Sequence, residues 1–337
     1  MKIAIVKLSA IGDIIHTMVV LQFIKKEYPK SKIDWFIDDS LKGVLENNPH
    51  INQINTIRFK EARKKKSIIL IIKEVIKLRK LPKYDLVIDI QNLIKSALVA
   101  KLIPSKKTIG LDKYSSRERF ASVFYSYKYS INHSLNIIKR NTSIINKALD
   151  INISNTDIDN KNPFLFFEDS TLDENISKES LNILLIPGAS FESKMYPLEK
   201  LAQISKKINA NFIILWGSES EKIIAEKIKR LSPGVCVVKK LSLDKLKALI
   251  SQVNLVIGPD TGPTHMAWAL NIPSITLFGP TPGYRNAYLT KINRIIESKS
   301  EVNPLRINKN DFSIKDINVD DVVSLSQDLL NATRSKV

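Results

Sequence analysis

Short β-branched runs alternate with longer segments of helical period along almost the whole chain, and such a chain buries its strands as a mostly parallel sheet covered by helices. In the first half, Ile3 to Leu8, Ile33 to Ile37, Ile54 to Arg58 and Leu86 to Ile90 read as strands, with helical segments at 14–28, 68–80 and 93–102. From Asp150 to Ser180 the chain is rich in Asn, Asp and Ser, with one short apolar piece at Phe164 to Phe167, which reads as a connection. A second series follows. Its strands are Ile183 to Ile186, Phe212 to Trp216, Val235 to Val238, Leu255 to Ile257 and Ser274 to Phe278, separated by helical segments at 198–208, 219–230, 243–251 and 263–270. The expected fold is α/β, with two Rossmann-like doubly wound domains facing across a cleft, over residues 1–165 and 180–318. A last helix, 319–337, is expected to pack back toward the first domain. Ligands of such sheets bind beyond the carboxyl ends of the strands, so the strand-end loops are where chemistry is sought.

Charge divides the two halves. Residues 1–150 carry 29 Lys and Arg against 13 Asp and Glu, net +16, whereas residues 151–337 carry 23 against 21, net +2. A field of that sign favours a polyanion: nucleic acid, an anionic membrane surface or a phosphorylated substrate, set against a merely solvated lysine-rich surface. No nucleic-acid reading module is recognisable, and aromatic residues make up only 7%. A single cysteine, Cys236, rules out an intramolecular disulfide and a cysteine-based zinc site, which fits a cytosolic protein. The opening MKIAIVKL is too short an apolar run for a signal peptide. The stretch Ile68 to Leu78 is broken by Lys73, Glu74 and Lys77, so no transmembrane anchor is visible.

Four strand-end loops carry candidate chemistry. After the first strand comes Ser9-Ala10-Ile11-Gly12-Asp13, which lacks the GxGxxG of dinucleotide sites. Asp13 is either a helix N-cap or a carboxylate able to take a proton from an attacking hydroxyl. After the fourth strand of the second series comes Gly258-Pro259-Asp260-Thr261-Gly262-Pro263-Thr264-His265. Free N–H groups at Thr261 and Gly262 could hold a diphosphate at the helix start, and Asp260 suits a sugar hydroxyl; the plainer alternative is an Asp/Thr cap with His265 in the core. In Trp216-Gly217-Ser218-Glu219-Ser220-Glu221, either Glu219 or Glu221 could accept from a ribose diol, or both are acids favoured in a first helical turn. In Pro187-Gly188-Ala189-Ser190-Phe191-Glu192-Ser193-Lys194-Met195-Tyr196-Pro197, Lys194 is either a solvated loop lysine or a cation for a departing diphosphate.

Taken in order, KLSAIGDIIHT, DIQNLIKSAL (Asp89 to Leu98), SRERFASVFYSYK (Ser116 to Lys128), SKMYP, WGSESE and GPDTGPTHMAWAL resemble the lipopolysaccharide heptosyltransferases, type I most closely, over nearly the whole chain. The resemblance implies a GT-B glycosyltransferase architecture and transfer of L-glycero-D-manno-heptose from ADP-heptose to a Kdo residue of Kdo-lipid A, with inversion. It implies Asp13 as general base and Lys194 as the group assisting ADP departure. It places the donor against Ala189, Ser190, Lys194, Glu221, Leu241, Asp260, Thr261, Gly262 and His265, with no metal and no cofactor. The phosphorylated acceptor falls to Arg58, Lys60, Arg63, Lys64, Arg117 and Arg140. The implied enzyme is a monomer, peripheral to the anionic cytoplasmic face of the inner membrane, with no specific nucleic-acid partner. The chain departs from the family in having Ala189 and Ser190 where threonines are frequent, and Asn136 where a histidine precedes the helix holding Arg140. A type II heptosyltransferase, another sugar-nucleotide enzyme of similar fold and a basic nucleic-acid-binding protein are the alternatives.

Overall fold

A computed structural model of the chain describes residues 1–168, 171, 173–304 and 306–334, with the side chains of 333 and 334 left aside. The chain divides into two units, Met1–Phe166 and Phe167–Val337.

The first unit holds strands β1 (Lys2–Val6), β2 (Lys32–Asp38), β3 (Gln53–Ile57), β4 (Tyr84–Asp89), β5 (Ser105–Leu111) and β6 (Tyr127–Tyr129). Its helices are α1 (Ile11–Met18), α2 (Val20–Glu27), α3 (Phe59–Lys64), α4 (Ile68–Arg79), α5 (Ile94–Leu102), α6 (Ile137–Leu149) and α7 (Asn155–Asp159). The sheet order is β3-β2-β1-β4-β5-β6, all parallel, so the order reverses between β1 and β4. A parallel sheet covered on both faces needs continuous apolar strands. In β2, Trp35, Phe36 and Ile37 are all fully buried, and the preceding Asp34, buried too, is satisfied by Tyr84 Oη at 2.6 Å and Asn52 Nδ2 at 2.9 Å. The Tyr84 hydroxyl is pushed far above its usual range by burial and by that carboxylate, so it stays a donor.

The second unit repeats the plan with β7 (Asn182–Leu185), β8 (Asn211–Ile214), β9 (Cys236–Val237), β10 (Leu255–Pro259), β11 (Ser274–Phe278) and β12 (Asn293–Glu297). Its helices are α8 (Leu198–Lys207), α9 (Glu219–Leu231), α10 (Leu243–Gln252), α11 (Gly262–Ala269), α12 (Gly283–Asn286) and α13 (Val319–Arg334). The order β12-β11-β10-β7-β8-β9 is again parallel and reverses between β7 and β10. Ser218 and Ser242 accept hydrogen bonds from the first-turn N–H groups of α9 and α10, which is why those helices begin where they do. Helix α13, the expected returning segment, packs on α8 and against β10 and β11 of its own unit, with Val322, Leu329 and Leu330 in that core. The piece Phe164 to Phe167 forms no strand; Phe164 and Leu165 are buried in the first unit.

Candidate functional site

In the second unit the strand-end loops converge on one carboxylate. Asp260 follows β10 and is buried, with Oδ2 accepting from Lys194 Nζ at 2.9 Å, Thr281 Oγ1 at 3.1 Å and Asn286 Nδ2 at 3.2 Å. His265 Nε2 lies 2.9 Å from Oδ1. Burial by itself would raise this carboxyl; the Lys194 charge and the His265 contact outweigh it and hold Asp260 far below the usual carboxylate range. Lys194 is therefore no solvated loop lysine: it ends a 3-10 turn, Glu192–Lys194, with its side chain only 10% exposed. Beside Asp260, Thr261 caps α11 through its backbone, and the first N–H groups of that helix have no intrahelical acceptor. Thr264 Oγ1 turns back onto Pro259 O at 2.8 Å and fixes the turn.

Glu221 sits in the first turn of α9 and closes a capping box, its Oε2 accepting from Gly217 N at 2.7 Å and Ser218 N at 3.1 Å. Its other oxygen points at Gly188, where a Cβ would collide with the carboxylate. The glycine after β7 thus makes room for an acid from the β8 loop. Ala189 is half-buried, Ser190 exposed, and Leu241 half-buried in the loop before α10.

In the first unit, Ala10 rather than Asp13 is the cap of α1. Asp13 lies in the first helical turn with 47% of its side chain exposed, 3.9 Å from the Nζ of the buried Lys7. The loop before it is held from β4: Gln91 Oε1 accepts from Leu8 N at 2.7 Å and Ser9 N at 3.3 Å. Gln91 is in turn anchored by Asp89, whose carboxylate accepts from Gln91 N at 2.9 Å, Asn92 N at 3.0 Å, Ser96 Oγ at 2.8 Å and Tyr125 Oη at 2.7 Å. Burial pushes Asp89 up to about 6 despite those four donors. Neither Gln91 nor Lys7 was singled out in the sequence; the signal was that Lys7 opens KLSAIGDIIHT and Gln91 belongs to DIQNLIKSAL.

The basic residues separate into two groups. Lys60, Arg63, Arg79, Lys95 and Lys101 surround a groove of about 910 Å³ among α3, α4 and α5, with Glu118 the one acid lining it. Lys95 is depressed by its own partial burial; Asp38, which also lies 3.4 Å from Lys60 Nζ, opposes the depression, and Lys60 and Arg63 add to it. Lys64 and Arg117 are exposed, and Arg58 lies 3.8 Å from Asp39. Arg140 is different. It is buried, and its guanidinium donates to Ser115 O at 3.0 Å and Asn132 O at 3.5 Å, bracing the turn that presents Arg117.

The model of glycosyltransferase family 9 (heptosyltransferase) matches residues 75–312. Lipopolysaccharide heptosyltransferase 1 of Campylobacter coli is 37% identical over 345 residues, covering 98% of this chain and 99% of that one. The chain belongs to glycosyltransferase family 9. The enzyme of the same name from Escherichia coli K12 is 27% identical, covering 86% of this chain and 91% of its own. Among solved structures, E. coli heptosyltransferase WaaC with ADP superposes with a TM-score of 0.81 at 21% identity, covering 98% of this chain and all of that one (100%). The E. coli heptosyltransferase II structure gives 0.74 at 19% identity, covering 99% and 100%. The two-Rossmann architecture read from the strand pattern is thus the GT-B glycosyltransferase fold, and the chain is a glycosyltransferase.

Proposed function

We propose that this family 9 enzyme transfers L-glycero-D-manno-heptose from ADP-heptose to a Kdo residue of Kdo-lipid A, with inversion, in synthesis of the lipopolysaccharide inner core. An identity of 37% over nearly the full length with a lipopolysaccharide heptosyltransferase 1 supports heptose transfer to lipopolysaccharide. The observation that carries the donor half is the buried Asp260 with Lys194 and His265 at a helix N-terminus, since a sugar diphosphate needs a cation, free N–H groups and a hydroxyl acceptor together.

In this mechanism Asp13, accessible and steadied by Lys7, removes the proton from the acceptor hydroxyl. The hydroxyl oxygen bonds to the anomeric carbon while the bond from that carbon to the diphosphate oxygen breaks, and ADP leaves with the electron pair. Lys194 and the first N–H groups of α11 take up the charge that develops on the diphosphate. Donor arrival requires Lys194 to exchange Asp260 for phosphate, while His265, Thr281 and Asn286 keep the carboxylate in place for the heptose hydroxyls. Glu221, through the oxygen directed at Gly188, accepts from the ribose, and Ala189, Ser190, Leu241, Thr261 and Gly262 complete the donor surface. Lys60, Arg63, Lys64, Arg58 and Arg117 meet the acceptor phosphates, and Arg140 acts through the turn it braces. Among the described residues no helix is long and apolar enough to cross a membrane. The proposed enzyme is a monomer attached peripherally to the cytoplasmic face of the inner membrane; the lipid-anchored acceptor of the proposed reaction and the +16 charge of residues 1–150 support the attachment.

The test is ADP release from ADP-heptose with and without Kdo-lipid A. Release that depends on both substrates is expected. Equal release with Kdo-lipid A omitted, or activity only with another nucleotide sugar, would contradict the reading.

A further inference from the structure

Helix α4 has a face that nothing in its own unit covers. Ser67 starts it by accepting from Leu70 N, and buried Leu78 anchors its last turn. Yet Ile68 is 72% exposed, Ile69 67%, Ile72 51% and Ile76 47%. At 3.6 residues per turn these four fall on one stripe of about 100°. Lys73, Lys77 and Lys80 flank it on one side, Lys77 also pairing with Glu74, and Arg79 closes its C-terminal end beside the groove. The next stripe of the same helix, Ile71 and Val75, forms a wall of the 910 Å³ groove whose rim carries Lys60, Arg63, Lys95 and Lys101. The groove's far wall is α5, against which the turn after Arg117 lies, held by Glu118 Oε2 accepting from Ile94 N at 2.7 Å. That turn presents Phe120, 77% exposed, and Val123, 65% exposed.

A solvated helix has no use for four isoleucines in water, and a core helix would have them covered. An apolar stripe bordered by cations, beside a groove with the same two components, is what a surface made of anionic headgroups over hydrocarbon recognises. We propose that α4 docks the first unit on an anionic phospholipid bilayer by lying in the plane of the interface, with Ile68, Ile69, Ile72 and Ile76 entering the acyl region and the flanking Lys and Arg on lipid phosphates. This rests on the reading of the first unit as the acceptor-facing half, and adds to electrostatic attraction an apolar contribution that salt does not screen.

The experiment uses the full chain and vesicles of phosphatidylcholine with or without phosphatidylglycerol. Paired replacement Ile69→Ser with Ile72→Ser is tolerated by exposed positions, which an unchanged Tm verifies. It should weaken binding to the anionic vesicles by about tenfold or more, and should abolish the residue of binding that the unaltered protein keeps at 1 M salt, where the Debye length is about 3 Å. Replacement Ile72→Trp gives a direct report. The chain's own tryptophans, Trp35, Trp216 and Trp268, are buried. Emission of the added indole should therefore shift to the blue on vesicles and be quenched by brominated acyl chains. Serine variants that bind like the unaltered protein at both salts, an unquenched indole at position 72, or a mass doubled through this face in solution would each overturn the inference. In the first two cases charge-driven docking and heptose transfer stand. Loss of all vesicle binding by the unaltered protein would overturn both this inference and the membrane-facing reading, while ADP release with a soluble deacylated acceptor still reports on transfer.

Discussion

The two units put a buried carboxylate at the same place in the same topology and satisfy it in opposite ways. Asp89 ends β4 and Asp260 follows β10, and each strand is the partner across its sheet's switch point. Asp89 has four neutral donors around it and is pushed up to about 6. Asp260 has a lysine and a histidine and is held far down. Neutral donors fix a shape, and Asp89 uses them to hold Gln91 and, through it, the loop leading to Asp13. Cations near a carboxylate can be drawn away by a better anion, and Lys194 has that freedom. The first unit gathers a cluster of cations around the α3–α4–α5 groove, with Lys7 and Arg140 buried elsewhere, whereas the second buries a lysine directly on its carboxylate.

The largest effect should come from the acid that belongs to neither class. Asp13 is exposed and folds nothing, so Asp13→Asn should lower turnover by a factor on the order of 10² or more with ADP binding and Tm unchanged. A Tm shift with near-normal turnover would make Asp13 only a helix-dipole acid. Next is Lys194→Ala, which strands a buried carboxylate and should cost about 3 kcal/mol of second-unit stability as well as weakening ADP. Adding Asp260→Asn should recover part of the stability and none of the ADP affinity. Recovery of both would mean that Lys194 serves the fold alone.

The comparison also predicts pH profiles of opposite sign. Asp89 is raised in the fold, so its contribution is complete below about pH 4, the unfolded value, and is lost as pH rises through about 6, on the order of 3 kcal/mol across that window. Asp260 is lowered, so its contribution is present above the unfolded carboxylate range and is lost as pH falls toward its folded value. Hydrogen exchange resolved by unit should show the first unit loosening from pH 4 to 6 and the second loosening only in stronger acid. Asp89→Asn should flatten the first profile, and parallel profiles would remove the distinction between the two carboxylates.

The doubly wound architecture was legible because parallel strands leave continuous apolar runs: Ser274–Phe278 coincides with β11, and Ile68 to Lys80 with α4 to within a residue. Strand β5, Ser105–Leu111, escaped because Ser105, Lys106, Lys107 and Thr108 hide its period, β6 is three residues long, and β12 alternates weakly as an edge strand. At the site, each loop was read separately from its residues, and the resemblance put Lys194 and Asp260 against one donor without the contact between them. Lys194 and Asp260 are far apart in sequence, and Thr281 and Asn286 lie in a segment with no motif of its own. Arg140 reads like any surface arginine until α6 turns it inward. The isoleucines of α4 read only as part of a helix too broken by charge to span a bilayer, because periodicity tells which residues share a face and only packing tells whether anything covers it.

The division of labour between the units is tested most directly by steady-state kinetics in which each substrate is varied in turn. In a protein carrying Lys60→Ala and Arg63→Ala, the acceptor KM should rise by about tenfold or more while the donor KM stays within about twofold. In Asp260→Ala the pattern should reverse, with binding of the sugar nucleotide weakened far more than that of ADP. A donor KM that rises with loss of the first-unit cations, or an acceptor KM that rises alone with loss of Asp260, would contradict the account.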